Sequence, residues 1–333
     1  MRRTVDLDGA VTRALRAPSV HNTQPWRWRI GPDHVELHAD WTRHLPWTDP
    51  DRRDLVLSCG TALHHLRVAL AAQGVAVRVA RLPDPDNAAH LATVTLVPGP
   101  TDTELAALFP AITRRRTDRR RMAGRAVPTD LIRACTRQAE REGARLIPTT
   151  TPALRERLAA AIARAGREQA VTPGYAAELD IWTSRYAASR DGVPASNVPP
   201  SPIGLVGSSP LRRFPRTGLA QPRHPATSGP SDDAAELLVL AADTDDELAW
   251  LRAGEATSAV LLAATQAGLA TTPLSQAIEV HRSRRELRHS LLRDPGFPQL
   301  VIRIGWPVGW PAGSTEDLPL TPRRELRMVR LPK

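Results

Sequence analysis

The feature that most restricts the fold of this chain is an internal repeat. Two alanine-rich segments, 59–76 and 253–270, match at a constant offset of 194 residues, which sets Gly60, Ala62, Ala69, Gly74 and Ala76 against Gly254, Ala256, Ala263, Gly268 and Ala270. Both segments carry apolar residues at helical spacing. Both close on a glycine, which ends helices cheaply in the left-handed conformation. Each is followed by one strand-like segment and then another. The order of elements therefore repeats along with the residues, which predicts two similar halves of mixed helix and strand, with the Gly60 and Gly254 helices as counterparts.

The rest of the chain fits around these helices. Residues 5–17 read as a helix stopped by Pro18. The alternating run 26–30, a Gly31-Pro32-Asp33 turn and the run 35–38 predict a hairpin. Strands are expected at 75–79, 92–97, 237–241 and 299–304, and helices at 129–142 and 152–169. Residues 189–231 are rich in Pro, Gly and Ser and lack periodicity, as a lid or an unstructured segment would be.

Composition removes several classes of function. The net charge of +10 would suit a nucleic-acid binder, but the basic residues are almost all arginine, as a coding bias toward Arg, Ala and Pro produces. No aromatic residues interleave with the arginine cluster at 114–121, so no nucleic-acid partner is expected. The one lysine is the terminal Lys333, which argues against Schiff-base chemistry. Cys59 and Cys135 sit far apart in helical patterns without metal spacing, as core residues of a protein in a reducing cytoplasm. No secretory signal is apparent at the start, and no run approaches the roughly 18 apolar residues of a membrane span.

The glycine-rich phosphate loops, the zinc-protease helix and the nucleophile elbow are missing. What remains suits a flat heterocycle that carries a phosphate. Arg114–Arg119 offer guanidinium donors, which match phosphate oxygens at two points, and Thr117 adds a hydroxyl. Ser19, Asn22 and Gln24 offer amide and hydroxyl groups for a pyrimidine edge. The segment 271–276 after the Gly268 helix end offers backbone and small side chains for a reacting face. Each has a plainer reading: a solvated basic turn, a side-chain-capped turn after a helix, and an ordinary connection.

Taken together, the motifs resemble a known family. Pro18-Ser-Val-His-Asn22-Thr-Gln24-Pro-Trp26 is similar to the strongest signature of the FMN-dependent nitroreductase superfamily, and Arg115-Arg-Thr-Asp-Arg119 resembles its phosphate-binding stretch. Arg252-Ala-Gly-Glu255, Thr272-Pro-Leu-Ser-Gln276, 300–306 and Thr321-Pro-Arg-Arg324 extend the likeness to the Acg-type nitroreductase-like subfamily over nearly the whole chain, residues 189–231 excepted.

The resemblance implies an α+β, nitroreductase-like fold duplicated in tandem, each half an antiparallel-dominated sheet wrapped by helices, a pseudo-dimer within one chain with halves at 1–110 and 111–333. Ordinary members carry the arginine motif before the Pro-Ser-x-x-Asn motif in one short chain, and two chains share each FMN. Here the Pro-Ser-x-x-Asn motif stands in the first half and the arginine motif opens the second. Complementary losses would leave one composite site and a monomer. By position, Ser19 and Asn22 would meet the flavin ring or ribityl chain. Arg115, Thr117 and Arg119 would face the phosphate and ribityl chain, with Arg323 joining from near the C-terminus. Pro273, Leu274 and Ser275 would pack against the dimethylbenzene and N5 side. His21 lies inside the motif without an assigned role. The implied activity is reduction of a small organic substrate, a nitro compound, a quinone or a related metabolite, by hydride transfer from NAD(P)H through FMN. The flavin itself would carry the chemistry. The alternative is a flavin-sequestering protein with 189–231 as a lid and little turnover.

Overall fold

The computed structural model describes residues 5–185, 188–200, 212–220, 233–292, 296–308 and 315–332. The first half runs α1 (Leu7–Ala14), β1 (Trp26–Ile30), β2 (His34–Ala39), α2 (Arg53–Ala72), β3 (Ala76–Arg81), β4 (His90–Val97) and the short α3 (Thr103–Ala107) and α4 (Phe109–Arg114). The second runs α5 (Thr129–Arg141), β5 (Arg145–Pro148), α6 (Pro152–Val171), α7 (Tyr175–Thr183), β6 (Glu236–Ala242), α8 (Glu247–Gln266), β7 (Ala270–Leu274), α9 (Gln276–Glu279), α10 (His281–Leu287), β8 (Phe297–Gly305) and α11 (Leu326–Val329).

Each half builds a four-stranded antiparallel sheet, and the strand orders, β1-β2-β4-β3 and β5-β6-β8-β7, are the same. The two long repeat helices, α2 and α8, cross at Gly60 and Gly254. A Cβ on Gly60 would stand 2.0 Å from the Leu251 carbonyl oxygen, and one on Gly254 would stand 2.0 Å from that of Leu57. Leu57 and Leu251 are themselves related by the 194-residue offset. The contact is therefore reciprocal, as at a twofold axis, and only glycine lets the two backbones approach so closely.

The sheets are covered differently, and their sequences follow the covering. In β2, Val35, Leu37 and Ala39 point into a core shared with Trp26, Trp28, Leu91 and helices α1 and α2, while His34 and Glu36 take the other face. That alternation marks a sheet packed on one side. In β6, residues 237–242 are all buried: Leu238 and Leu240 pack toward α5 and α8, Leu237 and Val239 toward α6, α9 and α10. A sheet covered on both faces has no polar alternation to show.

Several expectations are refined. Thr271–Gln276 is not simply a connection, because β7 extends to Leu274 and includes Pro273. Proline lacks a donor, and β7 is the edge strand of its sheet, where that lack is tolerated. α7 was not anticipated. Of the aperiodic segment 189–231, residues 201–211 and 221–232 lie outside the described residues, and those described contain only a short 3-10 turn at Ala195–Asn197. α2 does have the length and apolar composition of a membrane span, contrary to the expectation of none, but it is the buried central helix. The C-terminal tail leaves its own half: Leu331 N–H donates to Trp28 O at 2.7 Å, which lays the tail along β1.

Candidate functional site

The first helix ends at Ala14, and beyond Pro18 the chain makes a tight loop in which His21, Asn22 and Gln24 all have positive φ (44°, 54° and 51°). Three non-glycine residues in this sparsely allowed region need strong external restraint. They receive it from distant segments. Asn22 Nδ2 donates to Gly192 O (2.9 Å) and Pro322 O (3.0 Å). Gln24 Nε2 donates to Arg190 O (2.8 Å), and Gln24 Oε1 accepts from the Arg324 N–H (2.8 Å). Ser19 Oγ accepts from the Gln24 N–H (2.9 Å), and Ser58 Oγ of α2 accepts from Val20 N–H (3.1 Å).

Beyond α4 the chain becomes extended. Asp118 N–H donates to Thr271 O (2.9 Å) and Thr272 Oγ1 donates to Asp118 O (2.6 Å), so this stretch runs beside β7. Alternation in an extended chain sends Arg115, Thr117 and Arg119 one way and Asp118 the other. Asp118 is buried and pairs with Arg120 at 2.8 Å.

These segments enclose a cleft of about 980 Å³, counted out to its solvent mouth. Ser19 and His21 line it from the first half, as do Asp54, Ser58 and Thr61 of α2. Thr117, Arg119, Pro273, Leu274, Ser275 and Gln276 line it from the second. Thr117 also borders a second recess of about 350 Å³, lined by Arg16, Arg115, Arg116, Asn197, Thr321 and Arg323. The cleft and the recess thus meet at one threonine.

The recess is strongly cationic. Among the described residues, none of Arg16, Arg115, Arg116 and Arg323 is salt-bridged, although Glu316 partly offsets Arg116. Burial, then the repulsion of Arg116, Arg16 and Arg119, pushes the Arg115 guanidinium down to about 10. Burial, then Arg115, Arg16 and Arg116, lowers Arg323 well below its usual value. Arg119 also falls to about 10, from burial and Arg212. The Nε atoms of Arg115, Arg116 and Arg323 are buried without a partner. Arg115 is buried and Arg16, Arg116 and Arg323 are half-buried, and although Arg116 and Arg323 donate to nearby carbonyls, mutually repelling cations drawn from water are costly unless an anion joins them. A phosphate fits that donor set.

Of the residues anticipated from sequence, Ser19, Thr117, Arg119, Pro273, Leu274 and Ser275 come together in the cleft, and Arg115, Thr117 and Arg323 come together in the recess. Asn22 lines neither. Its Oδ1 accepts from Arg323 (2.9 Å), so it holds that guanidinium in place. His21 lines the cleft with Nε2 unpartnered, its imidazole kept neutral by burial and by Arg212 and Arg119.

Sequence reasoning missed four contributors. Arg212 lies over the cleft, bonded to Glu279 and to Tyr175 Oη (2.6 Å). Phe214 covers Arg119, whose guanidinium stands 5.2 Å from the ring centroid, and meets His21 edge-on at 6.1 Å. Arg16 completes the recess. Asp54 faces the cleft from the first turn of α2, with Oδ2 buried and unpartnered. Burial, then Glu279, raises its carboxyl to about 7 against the pull of Arg53.

The counterpart position in the other half is built differently. At the 194-residue offset Glu255 stands for Thr61 and Arg81 for Ser275. These two bond each other at 2.6 and 3.0 Å, and Arg67 adds a contact to Glu255 at 2.8 Å. Glu255 is fully buried. An ion-pair network fills the place where the first site has a cleft.

The fold and site define an α+β protein with two like halves and, among the described residues, a cleft lined from both halves beside a cationic recess. The chain is 44% identical over 321 residues, 96% of its length and 89% of the relative's, to "Putative NAD(P)H nitroreductase Rv3131" of Mycobacterium tuberculosis. It is 37% identical over 328 residues to the Mycobacterium tuberculosis protein acg, which carries the same description, covering 97% of this chain and 94% of that one. The chain therefore belongs to the nitroreductase-like family, in its Acg-type branch. No family model matches it. Among solved structures, the FMN-dependent nitroreductase NfnB of Mycobacterium smegmatis in complex with NADPH aligns at a TM-score of 0.39 and 17% identity, over 68% of this chain and 97% of that one. A Desulfitobacterium hafniense nitroreductase with bound FMN aligns at 0.39 and 13%, over 65% and 92%. The family assignment rests on the sequence relatives, not on these scores.

Proposed function

We propose that the chain is an FMN-dependent oxidoreductase that takes hydride from NAD(P)H and passes it to a small organic substrate, a nitro compound, a quinone or a related metabolite. One observation carries this reading: a cleft with mixed polar and apolar walls shares Thr117 with a recess in which Arg16, Arg115, Arg116 and Arg323 stand together without a salt bridge among the described residues. A flat ring bearing an anionic tail matches that shape and charge. Arg115, Arg323 and Arg16 would hold the phosphate, with Asn22 fixing Arg323. Thr117 and Arg119 would meet the ribityl chain, Ser19 the ring, and Pro273–Ser275 the dimethylbenzene and N5 side. Bound there, FMN would supply hydride acceptance and donation. The protein residues bind, orient and exclude water.

The two sheets of equal order, the reciprocal glycine crossing and the Arg81–Glu255 network support a tandem duplication, divided near residue 110, that kept one composite site. On this reading the chain binds one FMN, is a monomer, and acts in the cytoplasm without nucleic-acid or membrane partners. The absorbance spectrum of the purified protein tests the proposal, followed by anaerobic addition of NADPH. Flavin bands that bleach on addition are expected; a protein without flavin would overturn the reading.

A second reading draws on Arg212 and Phe214, which line the cleft from the aperiodic segment. If they keep NAD(P)H off the ring, the protein sequesters flavin with little turnover. Slow reduction that accelerates in Arg212→Ala would favour this alternative.

A further inference from the structure

The open face of the first sheet carries a cluster unrelated to the cleft. His34, Glu36 and His38 alternate along β2 and so share the face away from the core. Opposite them on β4 the register slips between Leu37 and His38, so that His38 pairs with His90 instead of Leu91. Without this bulge, Leu91 would stand beside His38 on the outer face. With it, Leu91 enters the core, fully buried, and a histidine takes its place. Bulges re-aim side chains in this way beside functional sites.

We propose that His38, His90 and Glu36 form a binding site for a divalent transition-metal ion of the zinc class. One ligand atom from each lies within 4.8 Å of the others. His38 Nε2 is 2.8 Å from Glu36 Oε2, and the two imidazoles face each other at 4.5 Å with their planes 17° apart. Bonds of about 2.0–2.2 Å lie in the plane of each imidazole, so binding would turn the two stacked rings until their nitrogens converge on the ion beside the carboxylate. Thr93 Oγ1 holds one ring nitrogen of His90 at 2.9 Å, the kind of outer contact that orients a ligating imidazole. Glu36 Oε1 makes no hydrogen bond among the described residues, its nearest basic neighbour being His34 Nε2 at 3.8 Å. Glu36 is also paired with Arg29 through Oε2 at 2.7 Å. Two imidazoles and one carboxylate suit zinc with a fourth, open position for water. The ion would tie β2 to β4 where the ladder is interrupted.

The test uses the whole tag-free protein titrated with Co²⁺, followed through its visible ligand-field bands, with Zn²⁺ as competitor. The expected result is one Co²⁺ per chain, displaced by Zn²⁺. Affinity falls at least about tenfold in His90→Asn and in His38→Gln. Far-UV circular dichroism confirms that the variants fold, and Glu36→Gln, which keeps the shape of the side chain, carries the test if a histidine variant does not. No saturable binding at millimolar Co²⁺, or binding unchanged in the folded variants, overturns the proposal and leaves the cluster as a hydrogen-bonded surface ladder.

Discussion

Arg115 concentrates the logic of the site in one side chain. Its charge is buried, depressed by neighbouring cations and without a carboxylate, so an anionic ligand should relieve it. Arg115→Ala is expected to weaken FMN binding by about 1.5–3 kcal/mol, the range for a hydrogen bond to a charged group, as measured by fluorescence titration. Unchanged affinity would move the phosphate site elsewhere. Asp54 makes a prediction about pH. Its carboxyl is raised in the folded protein to about 7, against about 3.9 in an unfolded chain. A raised acid stabilises the fold fully below the lower value, and that contribution is lost as pH rises through the upper one. Flavin-free protein should therefore lose stability between about pH 4 and pH 7, with Asp49 acting in the same direction. Asp54→Asn should flatten that slope in denaturant titrations; an identical slope would assign it to other groups. The sequence displayed Ser19, Thr117, Arg119 and Pro273–Ser275 because their motifs are local. It hid Asp54, which reads as an ordinary first-turn acid. It hid Arg212 as well, one arginine among many in a stretch without periodicity. The motif names Asn22 for the flavin ring or ribityl chain, and only the folded chain shows its bond to Arg323, 301 residues away.

At the scale of elements, the α2–α8 crossing carries the architecture. Both glycines face a carbonyl of the opposing helix with no room for a methyl group. Gly254→Ala must move one helix or the other, and overpacking of this kind costs about 1–3 kcal/mol. The loss should appear as a lower denaturation midpoint, and flavin affinity should drop with it because Ser58, Thr61 and Thr257 of these helices line the cleft. A Gly254→Ala protein of wild-type stability would contradict the reciprocal contact. The long helices, the hairpin and most strands were legible because their periodicities are strong, whereas α7 and the short helices α3, α4, α9, α10 and α11 were not. β7 was partly hidden by Pro273, which reads as a break in any strand except an edge. The C-terminal tail was illegible as a partner of β1, since nothing local encodes a contact made about 300 residues away.

For the whole molecule, the account claims that one chain does what ordinarily takes two subunits. Apolar residues of α2 and α8 are buried against each other, so on the proposed reading the drive to dimerise is met within the chain. The Arg81–Glu255–Arg67 network occupies the place of a second site. These features make flavin stoichiometry and oligomeric state two views of the same claim. The direct measurement is multi-angle light scattering of the holoprotein at low micromolar concentration, with flavin and protein quantified across the same elution peak. The account predicts a monomer carrying one FMN per chain. Two FMN per chain, or an obligate dimer that sheds its flavin when it dissociates, would contradict it.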